Sequence, residues 1–206
     1  MAEFQGSFWK PEKQVKVEYL DVLDENGLKT GEMIDRKLVH QKGLWHRALC
    51  VAAVKFDRVD GWKVLMQRRA LNKDKFPGMW DLTLAAHVVA KEFSVTSAAR
   101  EFKEEVNFIL PFKVSLSDFM PLFSFRDMRE IPNKDGTVMI ENQHYDFFIM
   151  NKKIDMGKIE FNDGEVMDIG WKTYDDIKEF YEQDILHPRT QWVDPLFEFL
   201  ATGFLQ

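Results

Sequence analysis

A single cysteine, Cys50, stands among the 206 residues, which excludes an intrachain disulfide framework and a cysteine-based zinc site within the chain. A reducing cytoplasm is the expected setting. No run of 18 or more apolar residues occurs, and the opening MAEFQGSFWKPEKQVKVEYL has no apolar stretch of signal-peptide length. A soluble, unexported protein without a membrane partner is therefore expected. There is no lysine- or arginine-rich block, and 28 basic residues against 34 acidic give a net charge of -6. That balance argues against a nucleic-acid polymer as partner, while a local basic patch still leaves room for a small anion. Internal repeats and low-complexity linkers are also missing. With 45% hydrophobic residues, the chain can bury a full core, and it fits one domain over residues 1–206 better than two small ones, as a monomer or homodimer.

What is present alternates between extended and helical patterns. VKVEYLDVLDENGLKTGE predicts a strand, a turn at Glu25, Asn26 and Gly27, and a second extended piece; IDRKLVHQKG predicts a short helix stopped by Gly43. These form an N-terminal extension over about residues 1–44. HRALCVAAVKFDRVDGWKVLMQRRA is two apolar runs split by Asp60 and Gly61, a hairpin signal. MWDLTLAAHVVA reads as extended. SVTSAAREFKEEVNF turns helical, from a cap at Ser94 or Thr96 to Asn107, which can take a left-handed position at the helix end. SDFMPLFSFRDM and TVMIENQHYDFFIMNKK are further strands around a turn at Asn133 to Gly136. EVMDIGWKTYDDIKEFYEQ adds a strand and a helix, and WVDPLFEFLATGFL a last apolar helix, so that helices dominate from about residue 173 to 206. The pattern predicts an α/β (α+β) fold, an α/β/α sandwich with a mixed sheet.

The chemistry is concentrated in TSAAREFKEEVNFIL. On an α-helix Glu101 lies three and four positions from Glu104 and Glu105, so like charges converge at Cβ spacings of about 5–6 Å and repel. Ala98, Ala99, Phe102 and Val106 form the apolar stripe that packs on a sheet. Taken alone, EFKEE reads as a solvated polar face. A divalent cation changes that reading, because grouped hard oxygen ligands hold Mg²⁺ or Mn²⁺ against phosphates.

From Ala86 the segment AHVVAKEFSVTSAAREFKEEVNF resembles the Nudix box: a glycine, five residues, a glutamate, seven residues, Arg-Glu, a bulky apolar residue, any residue, Glu-Glu, any residue, a glycine and an apolar residue. Glu92, Arg100, Glu101, Phe102, Glu104, Glu105 and Phe108 fall on their positions, while Ala86 and Asn107 replace the two glycines. Asn107 tolerates a left-handed backbone; if the first position needs a positive φ, Ala86 costs on the order of 1 kcal/mol or more and weakens metal affinity. Beyond the box, the stretches from Tyr19 to Val54 and from Val64 to Val88 look like the Nudix branch related to isopentenyl diphosphate isomerases. In that branch three histidines and glutamates hold a metal, and His40, His46 and His87 match the histidine positions. The isomerase reaction uses a cysteine where this chain has Ala85, and Cys50 reads as core packing. Isomerase chemistry by the usual route is therefore disfavoured.

The resemblance implies a metal-dependent Nudix hydrolase, with Mg²⁺ or Mn²⁺ as cofactor, cleaving a diphosphate linkage in a nucleoside diphosphate derivative or other small pyrophosphate. Glu104 and Glu105 are its implied metal ligands, and Glu101 is a third ligand or the base. Arg100 orients Glu101 or simply pairs with a neighbouring acid. Glu165, in NDGEVMDIGW, is an alternative base in some members; by itself a loop acid beside Gly164 is usually solvated. Phosphate contacts are expected from Arg36, Lys73 and one of Arg68 and Arg69, which point to opposite faces of a strand. His40, His46 and His87 form a second metal site if the fold brings them together; a lone histidine is more often structural. His144 and His187 have no motif support. Trp45, Trp80 and Tyr145 fall near the expected pocket, where they could stack on a base or line an isoprenoid channel, although aromatic stripes are normally core. Two further readings stay open: an isomerase-like enzyme without the usual cysteine, and a non-catalytic nucleotide-binding module.

Overall fold

A computed structural model of the chain describes residues 17–205 apart from 107–112, 134, 159–163 and 165, and leaves the side chains of Glu105, Val106 and Lys158 undescribed. Its elements run β1 (Tyr19–Leu23), β2 (Lys29–Asp35), α1 (Arg36–Lys42), β3 (Trp45–Asp57), β4 (Gly61–Arg69), β5 (Trp80–Leu82), β6 (Leu84–His87) and α2 (Ser94–Glu101). After a π-helical turn at Phe102–Val106 come β7 (Met120–Pro132), β8 (Val138–Met150), β9 (Val166–Lys172), α3 (Tyr174–Glu182) and α4 (Val193–Ala201).

The long strand β3 organises the fold. Its first part pairs antiparallel with β1 and β6 and parallel with β8, and its end pairs antiparallel with β4, which carries β5 and β9. The sheet is therefore mixed. Because successive side chains of a strand point to opposite faces, Ala48, Cys50, Ala52 and Val54 meet Ile177, Trp192, Leu196 and Leu200 of the α3/α4 layer. Leu49, Val51 and Ala53 meet Ala98, Ala99 and Phe102 on the other side. Each fully buried large side chain in these layers contributes about 1.5–3 kcal/mol. The result is the expected α/β/α sandwich. Cys50 is fully buried in it, and burial pushes its thiol up to about 12.

Local chemistry explains most boundaries. Asp35 caps α1 by accepting from the Lys37 and Leu38 amides, and Gly43 ends it in the left-handed conformation at φ 62°. The β3–β4 and β7–β8 hairpins fall where their turn residues place them.

The helix of the box differs from expectation in two ways. Neither Ser94 nor Thr96 caps it: the N-cap is Phe93, without a side-chain bond, because the Ser94 hydroxyl donates instead to the Asp146 carboxylate. The α-helix also ends at Glu101 and gives way to the π-helical turn. The spacing of three and four residues computed for a regular helix therefore does not carry through Glu104 and Glu105, as π-turns widen the hydrogen-bond step. Asn107 and Phe108 lie outside the described residues. Ala86 sits in β6 opposite Leu49, and it is not among the described residues with positive φ. The strain cost weighed for alanine there does not arise.

Candidate active site

The parallel register of β3 on β8 sets His46 opposite Gln143 and Ala48 opposite Tyr145, and β6 sets His87 opposite Ala48. These side chains share one face. The Gly43 turn then folds α1 back over the start of β3 and lays His40 across the same spot. The three imidazole centroids are 4.9, 5.0 and 5.2 Å apart, and one ligand atom from each lies within 4.8 Å of the others.

Burial makes these rings neutral. His46 is pushed down to about 4, first by desolvation. His87 is held well below the usual range by burial and then by the Arg36 charge, and His40 is lowered for the same two reasons. His46 Nδ1 lies 2.9 Å from the Leu44 carbonyl, which can only accept, so Nδ1 carries the proton and Nε2 presents its lone pair to the cluster. Neutral, converging imidazoles fit a divalent cation such as Zn²⁺ or Mn²⁺ better than Mg²⁺, which favours oxygen.

A cleft of about 590 Å³ opens over this cluster. Arg36, Arg69, Lys75 and Arg189 line it, together with Glu18, Asp81, Glu141 and His187. A second chamber of about 710 Å³ shares Lys37, His40, Lys75 and Met139 with the first and runs outward along Gln41, Asp135 and Thr137.

At the end of α2, Arg100 draws Glu92, Glu101 and Glu104 together. Its guanidinium lies 2.5 Å from Glu101, 3.1 Å from Glu92 and 3.5 Å from Glu104, so a fixed positive fork sits among the acids. Burial raises the Glu101 carboxyl, Arg100 opposes that, and the charges of Glu104 and Glu18 add to it. Glu18 in turn pairs with Arg36 at 2.8 Å, and its charge acts on both Glu101 and His40. Among the described residues these carboxylates converge on the Arg100 guanidinium, and His40, His46 and His87 are the group whose ligand atoms close on one point.

The sequence-derived residues therefore separate into groups. His40, His46 and His87 converge. Arg100, Glu101 and Glu104 converge on their own side, with Glu104 exposed. Arg36 and Arg69 reach the cleft, whereas Arg68 donates to the Gly78 carbonyl at 2.8 Å. Lys75 lines the cleft where Lys73 was expected. The Glu105 side chain and Glu165 lie outside the described residues. Tyr145 lines the cleft, Trp80 is buried against Phe180 and Trp45 packs on His144. Gln143, Glu141, Asp81, His187 and Arg189 were not anticipated. Strand alternation alone could have put Glu141, Gln143 and Tyr145 on one face, but nothing local marks Arg189.

The NUDIX domain family model matches residues 46–193. The chain belongs to the Nudix family. Among its curated relatives, Nudix hydrolase 3 of Arabidopsis thaliana is 31% identical over 170 residues, covering 81% of this chain but 21% of that protein. This Nudix chain thus spans about a fifth of that plant relative. The isopentenyl-diphosphate Delta-isomerase of Ruegeria pomeroyi is 31% identical over 144 residues, covering 70% of this chain and 71% of the enzyme. Among solved structures, that of DR0079 from Deinococcus radiodurans is similar in fold, with a TM-score of 0.52 at 16% identity over 91% of this chain and 99% of that one.

Proposed function

We propose that this Nudix protein is a divalent-cation-dependent hydrolase of a small diphosphate compound. The observation that carries the reading is the cleft itself, in which Arg36, Arg69, Lys75 and Arg189 surround the neutral histidine cluster. Arg36 and Lys75 bind the diphosphate, Lys75 as a point charge, while Arg69 donates to the Lys75 carbonyl and Arg189 is held by Asp81 and Tyr145. The adjoining chamber gives room for the group attached to it. His40, His46 and His87 would hold one cation, and Glu101 and Glu104, with Glu105 as the box resemblance implies, would hold another, Mg²⁺ or Mn²⁺. Such a cation would supply charge neutralisation for the phosphates and would lower the pKa of the attacking water.

Arg100 fixes the Glu101 carboxylate, so that Glu101 either ligates or takes a proton from the attacking water. Glu165 is the alternative base. The oxygen of water bonds to one phosphorus as the bridging phosphorus–oxygen bond breaks; the bridging oxygen leaves with the other phosphate, the protons of water pass to the base and the products, and both products carry a phosphate.

Isomerisation of an isoprenoid diphosphate is the second reading, favoured by the named activity of the Ruegeria relative and by the histidine cluster. Against it, Ala85 lines the cleft at the position of the isomerase cysteine, and Cys50 is fully buried. Hydrolysis of a panel of nucleotide, sugar and isoprenoid diphosphates with Mg²⁺ or Mn²⁺, read by chromatography of the phosphomonoester products and by inorganic phosphate where one phosphate is terminal, beside Glu101→Gln and Glu104→Gln, decides between them. Cleavage by the wild type and its loss in the variants is the expected result. Conversion of isopentenyl diphosphate without phosphate release would establish the second reading, and tight binding with no turnover of any compound a non-catalytic module.

A further inference from the structure

Gln143 occupies the position that decides whether the histidine cluster can take an ion. It is 1% exposed, and its Nε2 lies 3.0 Å from His46 Nε2 and 3.1 Å from His87 Nε2. Because His46 Nδ1 donates to Leu44, His46 Nε2 can only accept, so the amide must face it with N–H.

The other end of the amide agrees with the orientation that His46 sets. The Tyr145 hydroxyl donates to Gln143 Oε1. Arg189 Nη1 donates to that hydroxyl at 3.1 Å, and Arg189 Nη2 donates to Asp81 at 2.7 Å. A guanidinium has only protons to give, so the tyrosine proton stays free for Gln143 Oε1, to which it donates. The bonds therefore point one way, from Arg189 through Tyr145 and Gln143 to His46, and the same amide nitrogen faces His87 Nε2, which His40 Nε2 also approaches at 3.2 Å.

We infer that Gln143 controls cation entry to His40, His46 and His87, its amide being locked by Tyr145 and Arg189 in the orientation that excludes the ion. The inference rests on reading those histidines as a cation site. A cation there needs the lone pairs that the amide N–H groups now engage, and the N–H face offers it no ligand. Binding therefore requires Gln143 to release both rings, which breaks the bond from Tyr145 if the amide turns to offer Oε1. Gln143 and Tyr145 are positioning residues here, acting on the histidines rather than on substrate.

The test is Co²⁺ titration of the chelator-stripped full chain, read by visible absorption and so independent of turnover. Wild type, Tyr145→Phe and Gln143→Glu are compared, with His46→Ala to identify the histidine-dependent signal and circular dichroism to verify folding. Removing the tyrosine hydroxyl unlocks the amide and tightens Co²⁺ binding about five-fold, the weight of one hydrogen bond. A carboxylate at 143 cannot donate to the rings and offers an anionic ligand, so Gln143→Glu tightens binding by about ten-fold or more. Affinities equal to or weaker than wild type in both folded variants overturn the inference while leaving the histidine site standing. Absence of any His46-dependent spectrum in all variants overturns both, and leaves hydrolysis at the carboxylates to be judged by phosphate release.

Discussion

Arg189 and Asp81 face each other across 2.7 Å at the floor of the cleft, each only 5% exposed. Burial alone would raise the Asp81 carboxyl, but Arg189 and then His187 hold it down at about 2. The pair is thus ionised inside the protein. Breaking one side of such a pair strands the other charge, which costs about 3–5 kcal/mol. Arg189→Met should lower the urea-unfolding free energy by that amount, and the Arg189→Met, Asp81→Asn double variant should recover part of the loss. A single variant as stable as wild type would show that the pair is not buried in solution.

His187 gives the protein an acid-sensitive stability. Desolvation pushes its pKa down to about 3 from an ordinary 6.5, against the attraction of Asp81. Below 6.5 the unfolded chain takes up a proton that the folded chain refuses, so unfolding is favoured progressively as pH falls towards 3. The contribution is fully present above 6.5. Urea midpoints measured from pH 7.5 to 4 should fall, and His187→Gln should flatten part of that slope. An unchanged slope in the variant would assign the acid sensitivity to other groups, such as His46.

Cys50 should report on opening of the sandwich. Its thiol is fully buried and pushed up to about 12, so neither access nor thiolate is available in the folded state. A thiol reagent at pH 8 should react with the folded chain orders of magnitude more slowly than with the urea-unfolded chain, at a rate that tracks stability. Rapid stoichiometric labelling of the folded protein would contradict the packing of β3.

Arg100 should matter through its shape as well as its charge. Its fork bonds Glu92 and Glu101 simultaneously, which a lysine ammonium cannot reproduce. On the hydrolase reading, Arg100→Lys should lose about ten-fold in kcat and Arg100→Ala about a hundred-fold, with KM changed less. The Tm of each variant separates misplacement of Glu101 from partial unfolding. A kcat unchanged in folded Arg100→Ala would reduce Arg100 to a surface counter-charge.

Much of this architecture was legible because it depends on short-range rules. The Asp60–Gly61 hairpin, the Asp35-to-Gly43 helix and the strand at Val166–Lys172 each follow from periodicity and turn chemistry within a few residues. The π-turn at Phe102 was not legible, since one extra residue per turn leaves the local pattern of apolar and charged residues intact. Arg189 and His187 enter the cleft only because the chain returns after α3, with Trp80 and His187 joined through their backbones at 2.8 Å. Such long-range placement leaves no mark in a local window. His40, His46 and His87 were suggested by resemblance alone, and it is the β3–β6 register that brings two of them together.

The remaining histidine depends on Gly43. This residue ends α1 at φ 62°, and a Cβ built there would lie 3.0 Å from Ile140 Cγ2. Alanine therefore meets a backbone penalty of about 1–2 kcal/mol and a side-chain clash as well. Because the turn carries His40 back over His46, relief of the clash must move α1 relative to β3. Gly43→Ala should thus cost at least about 1 kcal/mol in urea unfolding and weaken His46-dependent Co²⁺ binding several-fold in the fraction that stays folded. Gly31→Ala is the control, since Gly31 also has positive φ, at 93°, but its added Cβ meets nothing within 4 Å; it should share the backbone penalty without the loss of Co²⁺ affinity. Equal Co²⁺ affinities in the two variants would detach the turn from the geometry of the cluster.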